Sequence, residues 1–230
     1  MTRTLKETIR SWTFFGLILL AIFAARSVIA DWNPVPTGSM KPTIMEGDVI
    51  LVNRAAYDLK IPFTTRHIVQ FRDPQRGDIV VFKSPEDGTR LVKRIIGLPG
   101  ERLRVAGDQV WINGEMVAQE PLAASQFSDL SDQDQISHRA MTESLGNTTH
   151  ALLLDARRTL PFQGSIEIPP GFFFMMGDHR NNSRDSRVFG LVDRQLILGR
   201  SSRILLSVDI KNRWKPRWHR FFSRLDYAPN

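Results

Sequence analysis

Hydrophobic and polar positions divide the chain into regimes with different periods. From 11 to 30 the segment SWTFFGLILLAIFAARSVIA is apolar on every face, interrupted by Arg26. About 20 residues of helix span roughly 30 Å, the thickness of a bilayer's hydrocarbon core. Arg3, Lys6 and Arg10 precede the segment and Asp31 follows it. Positive charge on the leading side predicts a cytoplasmic N-terminus and a remainder across the membrane, with Arg26 snorkelling to the far interface. A cleavable signal peptide is the competing reading, because VIA before Asp31 ends in a small residue. The length of the apolar run and the charge of Arg26 favour a retained anchor. A buried core helix fits less well, since a helix apolar all round needs lipid or protein on every side.

Past Pro34 the period shortens to that of β-strands, in runs punctuated by Gly, Pro and Asp. DVILVN (Asp48 to Asn53), DIVVF (Asp78 to Phe82), LVKRII (Leu91 to Ile96), RLRV (Arg102 to Val105) and VWI (Val110 to Ile112) follow in close succession. Asn113-Gly114 is a strong hairpin turn signal after the last of these. GFFFMMG (Gly171 to Gly177) and RSSRILLSV (Arg200 to Val208) predict later strands. Between them, residues 115–168 are polar and weakly patterned and contain the acidic run SDLSDQDQ. That run lacks the glycine and closing glutamate of a calcium loop, so the region reads as a solvated insertion. The Gly-Asp pairs at Gly47 and Gly77 look like a shared turn-to-strand habit; no repeat is convincing.

Composition narrows the function classes. At 230 residues the chain holds one sizeable domain, or a domain plus an anchor. It has no cysteine, which excludes disulfides, thiolate metal ligands and a cysteine nucleophile. The net charge of +7 suits nucleic acid or anionic lipid headgroups. No zinc-finger, RNA-recognition or helix-turn-helix pattern supports nucleic acid. Much of the excess lies in KNRWKPRWHRFFSR, where Lys211, Arg213, Lys215, Arg217, Arg220 and Arg224 alternate with Trp214, Trp218, Phe221 and Phe222. Basic and aromatic residues together suit a membrane interface, while a solvated extension with docked aromatics is the plainer alternative.

Candidate chemistry is sparse. The histidines at 67, 138, 150, 179 and 219 show no paired ligand spacing, so no metal and no cofactor is expected. GLPG (Gly97 to Gly100) is a turn rather than a phosphate loop, and no G-x-S-x-G elbow occurs. PTGSMKPTI (Pro36 to Ile44) stands out, because Gly38 frees the backbone beside Ser39 while Pro36 and Pro42 restrict it. A serine nucleophile needs a base and an oxyanion hole, and the Ser39 amide with the Thr37 hydroxyl offers one. Two bases compete. His179 lies in GDHRNNSRDSRVFG among acidic residues, as a Ser-His-Asp set requires. Lys93 lies in the apolar run RLVKRIIGLPGE, on one strand face with Leu91 and Ile95, where desolvation lowers a lysine pKa. Both faces of that run are apolar, so alternation does not choose between Lys93 and Arg94.

Four blocks in order resemble bacterial type I signal peptidases, the membrane-bound serine proteases with a Ser/Lys dyad. PTGSMKPTI is similar to the nucleophile box, RGDIVVF (Arg76 to Phe82) to the next structural box and LVKRIIGLPGE to the lysine box. GDHRNNSRDSRVFG (Gly177 to Gly190) is similar to the last box. The resemblance implies Ser39 as nucleophile and Lys93 as base, which resolves 93 against 94. Thr37 and the Ser39 amide would form the oxyanion hole, Ser183 would hydrogen-bond and orient the lysine, and Asp185 with Arg187 would form a charge pair behind the site. Three departures occur: His179 where asparagine is usual, Asn181 where aspartate is common, and Phe189 where tryptophan is frequent. The resemblance makes His179 a substitution rather than a triad member.

The implied fold is mainly β, a signal-peptidase-like catalytic domain preceded by one N-terminal transmembrane helix where many members have two. The expected organisation is a cytoplasmic N-terminus (1–10), an anchor (11–30), a catalytic core in two parts (31–114 and 169–209), the insertion (115–168) and a basic aromatic tail (210–230). The expected activity is removal of signal peptides from exported preproteins after small residues, of the Ala-x-Ala type, at the bacterial inner (cytoplasmic) membrane. The catalytic domain would be periplasmic. The expected partners are signal peptides, the bilayer and its anionic headgroups, with no nucleic acid; the sequence carries no signal for oligomeric state. Two alternatives stand beside this: a specialised conjugation- or pilin-processing peptidase of the same fold, and a non-catalytic membrane-anchored binding protein.

Overall fold

The computed structural model describes residues 10–18, 29–61, 67–155 and 163–225. The expected membrane helix over 11–30 lies in part outside the described residues. Residues 10–18 are helical, with Trp12, Phe14, Phe15 and Leu17 exposed. Among the described residues no helix is long and apolar enough to cross a membrane.

The rest is mainly β. In chain order the strands are β1 (Ala30–Pro34), β2 (Asp48–Asn53), β3 (Asp58–Lys60), β4 (His67–Gln70), β5 (Ile79–Lys83) and β6 (Arg90–Gly97). Then come β7 (Arg102–Ala106), β8 (Gln109–Ile112), β9 (Glu115–Met116), β10 (Gln119–Leu122), β11 (His138–Leu145) and β12 (Thr148–Asp155). The last are β13 (Gly164–Glu167), β14 (Phe172–Met176), β15 (Val192–Asp193), β16 (Ile197–Asp209) and β17 (Lys215–Pro216). The principal sheet runs β1-β2-β16-β5-β6-β14-β15, with β17 added on β16. Its pairings are antiparallel. Because late strand β16 pairs with early strand β2, residues far apart in sequence share one side of the sheet.

Alternation along β5 shows why this sheet is covered on both faces. Ile79 and Val81 join a core with Val35, Met40, Ile44, Val92 and Leu198. Val80 and Phe82 join a second with Ile95, Phe173 and Met175. Strands buried on two faces read as continuous apolar runs, which is the pattern seen in IVVF and FFFMM. The Asn113-Gly114 signal is a tight turn between β8 and β9, both residues having positive φ (53° and 90°) as a type I′ hairpin turn requires. The two Gly-Asp starts share one device: Asp48 Oδ2 accepts from the Met45 N–H and Asp78 Oδ2 from the Gln75 N–H.

Residues 115–168 correct the expectation of a solvated insertion. Strands β10, β11 and β12 form a sheet of their own, and Ala151, Leu152, Leu153 and Leu154 are buried. Leu153, Ala140 and Leu130 pack on Met45 from the loop after β1. The acidic run folds too: Ser131 caps a short helix, α1 (Asp132–Ser137), by accepting from the Asp134 N–H.

The tail departs from the plainer reading in the opposite sense. Two of its arginines dock, while two tryptophans and a phenylalanine face outward. Arg220 pairs with Asp48 at 2.7 Å and Asp129 at 3.1 Å, and Arg217 donates to the carbonyls of Glu46 and Val208. Trp214, Trp218 and Phe222 are about two-thirds exposed (68, 71 and 67%).

Candidate active site

Ser39 lies on the loop between β1 and β2. The loop is closed at its base by Val35 N–H to Asp48 O (2.8 Å) and Gly47 N–H to Val35 O (2.9 Å). Within it, Lys41 N–H donates to Gly38 O and Ile44 N–H to Met40 O, so the backbone turns immediately after the serine. Met40 and Ile44 point into the core and are fully buried. Burying two such side chains contributes roughly 3–6 kcal/mol, comparable to ordering several loop residues at about 1–2 kcal/mol each. Lys41 Nζ adds an ion pair to Asp134 Oδ2 at 2.8 Å, tying the loop to α1. Ser39 itself is half-buried and Thr37 is exposed.

Lys93 enters from β6, opposite Val80 of β5, on the face that carries Leu91 and Ile95. It is 2% exposed, and its Nζ lies 2.6 Å from Ser39 Oγ. Burial lowers its pKa to about 8, against the upward pull of Asp185 and Asp178 and with a smaller downward push from Arg187. Those two carboxylates are already engaged. Asp185 accepts from Arg187 through both oxygens (2.8 and 2.6 Å) and from the Gly177 N–H at 2.9 Å. Asp178 accepts from Arg94 through both oxygens (2.8 and 2.7 Å) and from the Thr43 hydroxyl at 2.5 Å. Arg94, the neighbour that alternation left open, therefore faces away from Ser39 and holds Asp178. An amine that is partly neutral near pH 7, in contact with a serine hydroxyl, can take a proton from it.

The family model for "Signal peptidase, peptidase S26" matches residues 6–206. The chain belongs to this family. A signal peptidase I of Pseudomonas fluorescens is 35% identical, over 84% of this chain and 70% of the relative. One from Pseudomonas aeruginosa is 34% identical over the same shares, 84% and 70%. A crystal structure of a signal peptidase I from Enterococcus faecalis is 34% identical and covers 57% of this chain and 98% of that one, with a TM-score of 0.37. Membership makes the chain an enzyme, a signal peptidase by its relatives' names.

The other expected residues of this signal peptidase fall close by, with one correction. Ser183 Oγ is buried but makes no hydrogen bond to Lys93; it sits beside the Asp185 carboxylate without a well-formed bond. Its position follows from Gly177. A Cβ there would lie 2.3 Å from Ser183 Oγ and 2.4 Å from the Ser39 carbonyl oxygen, so the Ser183 hydroxyl and the Ser39 backbone meet over a residue with no side chain. His179 does not touch Ser39 Oγ. Its Nδ1 is 3.2 Å from Gly38 O and its backbone N–H donates to Ser39 O at 3.1 Å. Burial foremost, then His138, lowers the pKa of His179 to about 4. Asn181 Oδ1 accepts from the Asp155 N–H, and Phe189 packs edge-on to Phe82.

Sequence reasoning missed a buried polar network behind the site. Glu143 of β11 pairs with Arg180 (Nη1 to Oε1, 2.8 Å), and Arg187 Nη2 donates to the Arg180 carbonyl at 2.6 Å. His150 of β12 lies between Glu143 and Asp178, at 3.5 and 3.7 Å, and burial first, then Arg94, lowers its pKa to about 3. Asp178 and Arg180 were within reach of sequence reading, since they stand in the same block as Ser183. Glu143 and His150 carried no signal, being isolated polar residues in a polar stretch. Among the described residues, no group of three or more His, Asp or Glu is placed to hold a metal ion.

Proposed function

We propose that the chain is a membrane-bound serine endopeptidase that removes signal peptides from exported preproteins, with Ser39 as nucleophile and Lys93 as general base. The observation that carries this is the 2.6 Å approach of a buried lysine amine to a serine hydroxyl on a pinned loop. Neutral Lys93 accepts the hydroxyl proton as Ser39 Oγ attacks the scissile carbonyl carbon. The negative charge that develops on the carbonyl oxygen is met by the Ser39 N–H and the Thr37 hydroxyl. The Lys93 ammonium then protonates the leaving amine, which becomes the N-terminus of the mature protein. A water deprotonated by the same lysine hydrolyses the acyl-enzyme, and the signal peptide departs. Ser183 and the Asp185–Arg187 pair act from behind, by holding the Gly177 region against Ser39.

The substrate lies extended beside the β surroundings of Ser39, with alternate side chains in pockets small enough to select the Ala-x-Ala type. Residues 11–30 anchor the enzyme in the inner membrane with the N-terminus cytoplasmic. The outward rings of Trp214, Trp218 and Phe222 suit contact with the interface and its anionic headgroups. The test is cleavage of an exported preprotein by purified wild type and Ser39→Ala. We expect cleavage by the first and none by the second. A specialised peptidase would cleave one dedicated precursor and not a general one. A binding protein would leave both precursors intact, and so would remove the proposal.

A further inference from the structure

Two hydrogen bonds from one residue fix the peptide groups on either side of Ser39. His179 Nδ1 bonds Gly38 O at 3.2 Å, and the His179 N–H donates to Ser39 O at 3.1 Å. A carbonyl oxygen only accepts, so Nδ1 carries the proton and the ring is the Nδ1–H tautomer. The Gly38–Ser39 peptide is planar and trans, so its C=O and N–H point in opposite directions. Drawing the Gly38 carbonyl inward toward His179 therefore turns the Ser39 N–H outward. Among the described residues no acceptor takes that N–H, and Ser39 stands half-exposed at the surface of the loop.

We infer that His179 is a positioning residue for the oxyanion site: its Nδ1–H bond to Gly38 aims the Ser39 amide at the substrate oxygen. This rests on the proposed role of Ser39. The ring is itself held. His138, at the end of α1, packs edge-on against it with centroids 4.8 Å apart, and His138 Nδ1 is fixed by the Asp134 carbonyl and the Ser137 hydroxyl. Lys41 and Asp134 are the charged groups on its flank. His179 Nε2 is buried without a partner, which leaves Nδ1 as the ring's one hydrogen-bonded nitrogen. The insertion therefore braces the nucleophile loop twice, through Asp134 on Lys41 and through His138 on His179.

The test compares full-length, detergent-solubilised wild type, His179→Leu, His179→Asn and His138→Ala on one preprotein, with kcat and KM separated and rates normalised to the folded fraction. Losing a whole oxyanion donor lowers kcat by about 10²–10³. Misaiming one donor should lower kcat roughly ten- to a hundredfold in His179→Leu, with KM changed less than about threefold. His179→Asn, of similar size to leucine but with an amide donor, should recover most of kcat; His138→Ala should fall between. A peptide aldehyde, which forms a tetrahedral adduct with a serine, should bind His179→Leu more weakly by the same factor. The inference is overturned if kcat is unchanged in His179→Leu and His138→Ala, or if the Asn and Leu variants are equally slow. Ser39→Ala run in parallel separates the two readings: activity surviving there sinks the proposed nucleophile, whereas its loss beside a normal His179→Leu sinks only the positioning role.

Discussion

Lys93 makes opposite demands on activity and stability, and the two can be measured on one variant. Its pKa stands at about 8 rather than 10.5, with burial the leading cause. At pH 7 that shift raises the neutral fraction from roughly one in 3,000 to roughly one in ten, about 300-fold. The same shift is a folding cost. Between pH 8 and 10.5 the unfolded chain holds the lysine proton and the folded chain does not, so stability rises with pH across that window. Below pH 8 the folded state carries the whole penalty, about 3 kcal/mol as an upper figure for a fully buried amine. Lys93→Met keeps the length and removes the charge. It should unfold at higher temperature than wild type at pH 7, with the difference shrinking toward pH 10.5, and it should have no detectable cleavage. In wild type, kcat/KM should rise with pH to a plateau, with its midpoint near 8, as the free enzyme's lysine loses its proton. Thermal unfolding by circular dichroism and initial rates across pH 6–10 test both halves. A midpoint near 10.5, or a Lys93→Met less stable than wild type at pH 7, would refute the reasoning.

Gly177→Ala places a Cβ 2.4 Å from the Ser39 carbonyl oxygen, so kcat should drop at least about tenfold while Ser39 remains present; a normal rate in steady-state kinetics would show the close approach to be dispensable. A preprotein with leucine in place of alanine immediately before the cut should resist cleavage, and equal turnover of the two would remove the small-pocket reading. Protease added to the outer face of inner-membrane vesicles should reach residues 115–168, and the mature chain should keep its N-terminus; a soluble protein beginning at Asp31 would show the apolar segment to be a cleaved signal. Arg187→Gln frees Asp185 to attract Lys93, so the midpoint of kcat/KM should move to higher pH and activity should partly return in alkali; a uniform loss with an unmoved midpoint would contradict this.

Strands with an apolar period are legible in the sequence: β2, β5, β6, β7, β8, β14 and β16 lie where the runs predict them, within a few residues. So is the Asn113-Gly114 turn, because positive φ at both positions narrows the residue choice. What period alone left open was which of Lys93 and Arg94 meets Ser39, since both faces of β6 are buried. Register supplies the answer: Lys93 lies opposite Val80 and Arg94 opposite Ile79, so the two point to different sides. The insertion was misjudged for a different reason. Its strands carry Glu143 and His150 at buried positions, and a buried ion pair looks in sequence like a pair of surface charges. Only the tertiary pairing of Glu143 with Arg180 distinguishes them. The docking of the tail is equally unreadable in sequence, because nothing in KNRWKPRWHRFFSR indicates that Arg217 finds the carbonyls of Glu46 and Val208 and Arg220 the carboxylate of Asp48.

The charge arrangement around Lys93 follows from what a neutral amine requires. Asp178, Asp185 and Glu143 are all buried near the nucleophile loop or the elements that back it, and the first two pull the lysine toward its charged form. Left unpaired, either would form an ion pair with the amine and raise its pKa, as a buried lysine gaining a carboxylate partner does. Each instead has its own guanidinium: Arg94 for Asp178, Arg187 for Asp185, Arg180 for Glu143. Arginine is suited to this because its planar fork saturates both carboxylate oxygens and does not release its proton in the relevant range. A lysine in the same place would compete for neutrality with Lys93. The carboxylates in turn hold the site: Asp185 accepts from the Gly177 N–H, and Asp178 accepts from the Thr43 hydroxyl on the Ser39 loop itself. Breaking any one pair by removing the arginine leaves an uncompensated buried charge, at about 3–5 kcal/mol. The pairs therefore hold two properties together, the geometry of the loop and the neutrality of the amine. Substitutions that spare the fold but loosen a pair should first appear as a shift in the pH profile, before any loss of secondary structure.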